Sequence, residues 1–135
     1  MAIDVEKTLS YYETNDFSHD CKCSFCEFFR TYFKEDFSSL HTYLLSLGID
    51  SRKFFELALP YLDEEKDLVY PFVQYIVFTK GAKDFKEVFA GLDLYASENH
   101  PPTDIKEDHL VLEFGPIKFS KAQVGADLYR DLEED

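Results

Sequence analysis

Three cysteines and a histidine fall within eight positions, His19-Asp20-Cys21-Lys22-Cys23-Ser24-Phe25-Cys26, and the chain has no other cysteine. Imidazole nitrogen and thiolate sulfur are the donors that zinc takes in closed tetrahedral sites. The candidate metal ligands are therefore Cys21, Cys23, Cys26 and His19, and zinc is the metal this donor set suits. Cys23 and Cys26 stand three apart. A helix that begins by residue 23 turns both to the same side, and its N-terminal dipole favours thiolate over thiol. Two features weigh against a complete centre. Zinc modules usually take ligand pairs from separated segments, whereas these four lie together, and a Cys-x-Cys step closes a very tight ring. A distant ligand such as His41, His100 or His109 would complete a better site.

A second reading competes. Cys26 lies on an apolar stripe with Phe29 and Phe33, in steps of three and four. Free cysteine is among the most buried residue types, so packing alone explains a thiol in that setting. Packed thiols are the reading the spacing favours. A metal site and a redox or reactive thiol centre are the alternatives.

Other groups with chemical potential are weaker. Asp63, Glu64, Glu65 and Asp67 form an acidic turn without the spacing or the central glycine of a calcium loop. Asp104, Glu107, Asp108 and His109 follow two prolines and read as an exposed loop. The chain carries no Gly-x-Ser-x-Gly elbow, no phosphate-binding loop and no dinucleotide glycine pattern. No catalytic residue and no cofactor-binding residue is assigned on this basis, and a non-catalytic protein is expected.

The chain has 27 acidic against 14 basic residues, a formal net charge of −13. Binding nucleic acid or anionic lipid needs clustered Lys and Arg, so neither partner is expected. A basic protein suits the charge. The first residues show neither an apolar run nor a basic leader, and no apolar stretch approaches a membrane span. Three closely packed cysteines are not a disulfide framework, so a cytoplasmic chain with reduced thiols is expected.

The elements that would hold these residues change character near residue 50. Ile3, Val5, Leu9 and Tyr12 predict a helix over about 3–14, ended by Asn15-Asp16. Cys26, Phe29, Phe33, Phe37, Leu40, Leu44 and Leu47 predict a second helical run over about 23–47, with Gly48 as its cap. Asp36 and Ser38 can both cap a helix start, which places a kink or break at 36–38. Alternation then predicts strands at about 55–61, 68–79, 88–97 and 109–115, the first of which also fits a short helix. The 69–79 segment is apolar on both faces and reads as a central strand. The expected fold is one α+β domain over 1–135, helices packed on one face of a four-stranded antiparallel sheet. Val124, Leu128 and Leu132 suggest a short docked helix within 120–135, ending in an acidic tail.

In Cys21, Cys23, Cys26, Phe28 and Phe29, and in the Leu47-Gly48-Ile49-Asp50 step, the chain resembles a group of small uncharacterised bacterial proteins. Their opening helix leads to a Cys-x-Cys-x-x-Cys stretch and then to a β-rich half. That resemblance implies no activity. The leading expectation is a small acidic protein that acts by binding another protein, an inhibitor or immunity type included. The alternative is a metal-binding or thiol-redox module built on Cys21, Cys23 and Cys26.

Overall fold

A computed structural model of the chain describes residues 3–17, 20–81, 84–120, 122–124 and 128. Within them three helices precede eight strands, all antiparallel, which is the expected α+β class. The helices are α1 (Val5–Thr14), α2 (Ser24–Asp36) and α3 (Ser38–Ser46). None of the helices among the described residues is long and apolar enough to cross a membrane. The acidic tail at 131–135, with Leu132, lies outside the described residues, while Val124 and Leu128 are buried in the main core.

Local chemistry explains the helix ends. Asp4 caps α1 by accepting the Lys7 N–H at 3.1 Å, and Asn15 ends it in extended conformation. The long run breaks at Phe37 (φ −126°, ψ 48°), inside the expected interval. Its cause differs from the expected one, because neither Asp36 nor Ser38 caps α3, whose N-cap is Phe37 with no side-chain hydrogen bond. The break leaves the Phe37 ring stacked on Phe33 at 5.6 Å and edge-on to Phe119 at 5.4 Å. Gly48 closes α3 at φ +88°. The Ile49 and Gly48 N–H groups bond the Leu44 and Leu45 carbonyls at 2.9 Å each, the pattern of a Schellman cap.

The expected four-stranded sheet is replaced by two sheets. One has five strands, β1 (Glu56–Leu57), β4 (Val73–Phe78), β7 (His109–Phe114), β6 (Leu92–Ala96) and β5 (Lys86–Phe89), in that spatial order. The other has three, β2 (Tyr61–Leu62), β3 (Leu68–Tyr70) and β8 (Ile117–Phe119). They are two arms of one bent ribbon. Leu57 faces Val73 before the bend and Tyr61 faces Val69 after it, four residues on in one strand and four back in the other. Val73 faces Phe114 and Tyr70 faces Ile117, again without slippage. The bend falls where Pro60, Pro71 and Pro116 supply no N–H for a ladder. Thus the expected 55–61 and 68–79 segments each split at a proline, and 109–115 continues past Gly115-Pro116 as β8. The expected 88–97 strand is a hairpin starting at Lys86, turned at Ala90 (φ 54°) and Gly91 (φ 80°). Two successive positive φ angles match the hairpin twist, but alanine in the first gives no warning in the sequence.

β4 lies inside the five-stranded sheet and is buried along its whole length, as its two apolar faces require. Val73, Tyr75 and Val77 join the main core with Phe29, Phe33, Leu40 and Leu44 from the helices. Ile76 and Phe78 form a smaller cluster on the other face with Val111. β1 covers only the first part of β4, and α1 serves the rest of that edge. The Tyr12 hydroxyl donates to the Ile76 carbonyl at 2.7 Å, and the Phe78 N–H donates to Thr8 Oγ1 at 3.0 Å. The Asp4 N–H reaches the Phe78 carbonyl at 2.9 Å. Tyr12→Phe leaves that Ile76 carbonyl buried without its donor and is expected to cost about 1–3 kcal/mol. A lower urea midpoint at unchanged m-value would show it, and an unchanged midpoint would refute it.

Candidate metal centre

The three thiols meet at the start of α2. Cys23 is the N-cap residue and Cys26 the third residue of the helix, so the first turn carries both to one side. Cys21 approaches from the preceding loop, and its Sγ accepts the Cys23 N–H at 3.4 Å. The sulfur atoms of Cys21, Cys23 and Cys26 all lie within 4.8 Å of one another. Cys26 is buried beside Phe29, as its place on the apolar stripe requires. Cys21 and Cys23 are exposed, so packing accounts for one thiol of the three.

Arg30 holds the loop on the helix. Its guanidinium donates to the Cys21 carbonyl at 2.7 Å, to the Glu27 carboxylate at 2.5 Å and to the Arg52 carbonyl at 3.1 Å. It also lies 4.7 Å from the centre of the Phe54 ring. From the opposite side Tyr70 of β3 donates to the Phe25 carbonyl at 2.7 Å, tying the first turn of α2 to the three-stranded sheet. Nothing in the sequence announced Arg30 beyond its position as a lone charge among Phe28, Phe29 and Tyr32.

The electrostatics divide the thiols. The Cys21 thiol is held below its ordinary pKa, first by the Cys23 N–H, then by hydrogen bonds from the Cys23 and Cys26 thiols, with a smaller contribution from Arg30. Burial, followed by hydrogen bonding to its two neighbours, pushes Cys26 up to about 12. Of these two thiols Cys21 therefore ionises more readily, while Cys26 keeps its proton. Burial above all raises the Tyr70 phenol, reinforced by Cys26 and Cys23 once those thiols ionise, so the phenol stays neutral. A cation among three sulfurs would replace these protons, since a coordinating thiol is deprotonated outright. Zinc–sulfur bonds of about 2.3 Å set tetrahedral sulfur–sulfur separations of roughly 3.8 Å. The observed spread needs about 1 Å of closure, which the unpacked Cys21 and Cys23 side chains supply by rotation. The donor set fits zinc.

His19, the fourth candidate ligand, lies outside the described residues. The distant histidines are engaged elsewhere. His41 Nδ1 is 2.7 Å from Ser51 Oγ, and burial, then the charge of Lys34, lowers its pKa. His100 Nδ1 is 2.8 Å from the Pro101 carbonyl oxygen. His109 sits with Nε2 2.8 Å from Thr103 Oγ1 and Nδ1 2.8 Å from the Glu107 carbonyl oxygen, so it braces its loop. Among the described residues the three cysteines are the only cluster of potential metal donors. In the acidic turn, the Lys118 ammonium lies 2.8 Å from Asp63 and 3.5 Å from Asp67, where a cation would bind.

The thiols open into a cleft of about 340 Å³. Asp20 lines it on the cysteine side, and Phe54, Glu56, Leu57 and Leu59 form the facing wall. That wall is the edge strand β1 with its flanking residues, 28 or more positions from the cysteines in sequence, and no local motif points to it. No protein-family model, no curated protein and no solved structure matches the chain.

Proposed function

We propose that this protein binds one zinc ion through the thiolates of Cys21, Cys23 and Cys26. The observation that carries the reading is the meeting of three sulfur atoms within 4.8 Å, two of them on exposed side chains that packing does not explain. Arg30 supports it by fastening the Cys21 carbonyl to α2, which positions the loop ligand before any ion arrives. The Cys21 thiol, already biased towards thiolate, offers the first bond. Bound zinc would join the loop ahead of α2 to its first turn and so add binding energy to folding energy.

Elemental analysis tests this directly. Protein purified under reducing conditions should carry one zinc per chain, and each of Cys21→Ser, Cys23→Ser and Cys26→Ser should lose it. Cobalt in place of zinc should give intense sulfur-to-metal charge-transfer absorption, and a chelator should lower Tm in the wild type but not in the triple variant. Far less than one zinc per chain, together with a cobalt titration without thiolate absorption, would refute the metal reading and leave only Cys26 with a packing role.

A further inference from the structure

Cys23 and Cys26 share the first turn of α2, Cys23 as its N-cap and Cys26 as the third helical residue. Residues three apart on a helix have Cα atoms about 5 Å apart, inside the range of roughly 4.4–6.8 Å that a disulfide spans. The two sulfur atoms lie within 4.8 Å of each other, and both cysteines are free. Closing a bond between them is therefore a matter of side-chain rotation. Their access differs. Both line the cleft, but Cys23 is exposed and Cys26 is only 8% exposed. Cys21 is exposed too, yet its bridge to Cys23 would close the tight ring of a Cys-x-Cys step, and its Sγ already accepts the Cys23 N–H at 3.4 Å.

We infer that Cys23 and Cys26 are a dithiol pair that exchanges with an external disulfide, neutral or cationic in charge, and closes to a reversible Cys23–Cys26 bridge.

Access sets the order of events, and the steps balance without a further reactant. The exposed Cys23 sulfur attacks one sulfur of the incoming disulfide, whose S–S bond breaks. The other half leaves as a thiol with the Cys23 proton. The Cys26 sulfur, within reach inside the protein, then attacks Cys23 in the mixed disulfide. The second half leaves with the Cys26 proton, and the Cys23–Cys26 bond remains. Two protein thiols are oxidised and one disulfide is reduced to two thiols. The cleft selects what arrives. Asp20 and Glu56 line it in a chain of net −13, so an anionic disulfide is repelled. Phe54, Leu57 and the exposed Leu59 offer apolar surface to the groups that flank the incoming sulfurs. The inference stands on the free thiols and does not rest on the zinc reading. The same sulfurs serve zinc there, so a bridged chain keeps only Cys21 for a metal and the two states exclude each other.

Mass spectrometry of the reduced, chelator-treated full chain tests the inference. Cystamine, a dicationic disulfide, should convert it to a form lighter by two hydrogen atoms, and peptide mapping should place the bridge between Cys23 and Cys26. Dithiothreitol should reverse the change. Cys21→Ser should still close the bridge. Cys21→Ser combined with Cys26→Ser should stop at a mixed disulfide on Cys23. The mapping uses the wild-type chain, so it decides even if a substitution at the buried Cys26 unfolds the protein. Relative to their rates with dithiothreitol, cystamine should react about tenfold faster than the anionic oxidised glutathione, and high salt should erase the difference. A bridge mapped to Cys21–Cys23 or Cys21–Cys26 would overturn the inference. So would a chain that stays reduced, a wild-type mixed disulfide that no second thiol resolves, or oxidised glutathione reacting as fast as cystamine. Zinc content and cobalt absorption are measured on untreated protein, so the metal reading stands or falls separately.

Discussion

Phe29→Ala is expected to lower the unfolding free energy by about 3–5 kcal/mol, the usual loss when a fully enclosed aromatic ring is deleted. Phe29 is completely buried, and its ring centre lies 4.8 Å from Phe33, 5.3 Å from Tyr70, 5.7 Å from Phe54 and 6.3 Å from Phe119. Those neighbours come from α2, from β3 and β8 of the three-stranded sheet and from the edge wall, so no single element can move in to fill the space. The same cavity undermines the metal centre, because Phe54 supports Arg30 and lines the cleft. Denaturant unfolding measures the loss. Leu45→Ala, on a side chain 51% exposed in α3, is the control and should stay within roughly 0.5 kcal/mol. A loss below about 1 kcal/mol at Phe29 would mean that the aromatic cluster is loosely packed.

Gly48→Ala should cost about 2–5 kcal/mol, combining a left-handed backbone at roughly 1–2 kcal/mol with overpacking at roughly 1–3 kcal/mol. A Cβ at Gly48 would stand 2.7 Å from the Val5 carbonyl oxygen and 2.8 Å from the Leu9 nitrogen, both backbone atoms of α1 that no rotamer change can move. Gly81 separates the two causes. Its φ of +90° nearly equals the +88° of Gly48, but a Cβ there meets nothing within 4 Å. Gly81→Ala should therefore cost about 1–2 kcal/mol, and the difference between the two variants measures the crowding of α1 against the α3 cap. Equal losses at both glycines would show that α1 gives way freely and that only the backbone angle matters.

The α+β order, the three helix spans and the break near residue 37 were legible because each depends on near neighbours. Asp4 capping Lys7, Gly48 closing α3 and the three/four spacing of Phe29, Phe33, Leu40 and Leu44 act within one or two turns. The strand-forming stretches were legible too, but not their division into eight strands or their membership of two sheets. A proline in an alternating run reads as a local interruption. Only its alignment with prolines on neighbouring strands turns three interruptions into one bend, and that alignment is a property of register. The hairpin at Ala90-Gly91 escaped because alanine rarely adopts positive φ, and the pairing of Val88 with Asp93 and Phe89 with Leu92 holds it there.

The candidate site divides in the same way. Cys21, Cys23 and Cys26 are close in space because they are close in sequence, and a helix start at residue 24 is enough to gather their sulfur atoms. Which thiols are open to a metal, what fastens the loop and what faces the cluster depend on residues far along the chain. Arg30 reaches the Arg52 carbonyl, Tyr70 reaches Phe25, and the Phe54–Leu59 edge forms the opposite wall of the cleft. Composition determined an acidic, aromatic chain with one cluster of metal-binding side chains, since charge and donor chemistry belong to residues one at a time. Only the folded chain decided that two thiols stay exposed beside Glu56 and an uncovered Leu59, because burial and charge proximity are set by contacts between segments that the sequence keeps more than 30 residues apart.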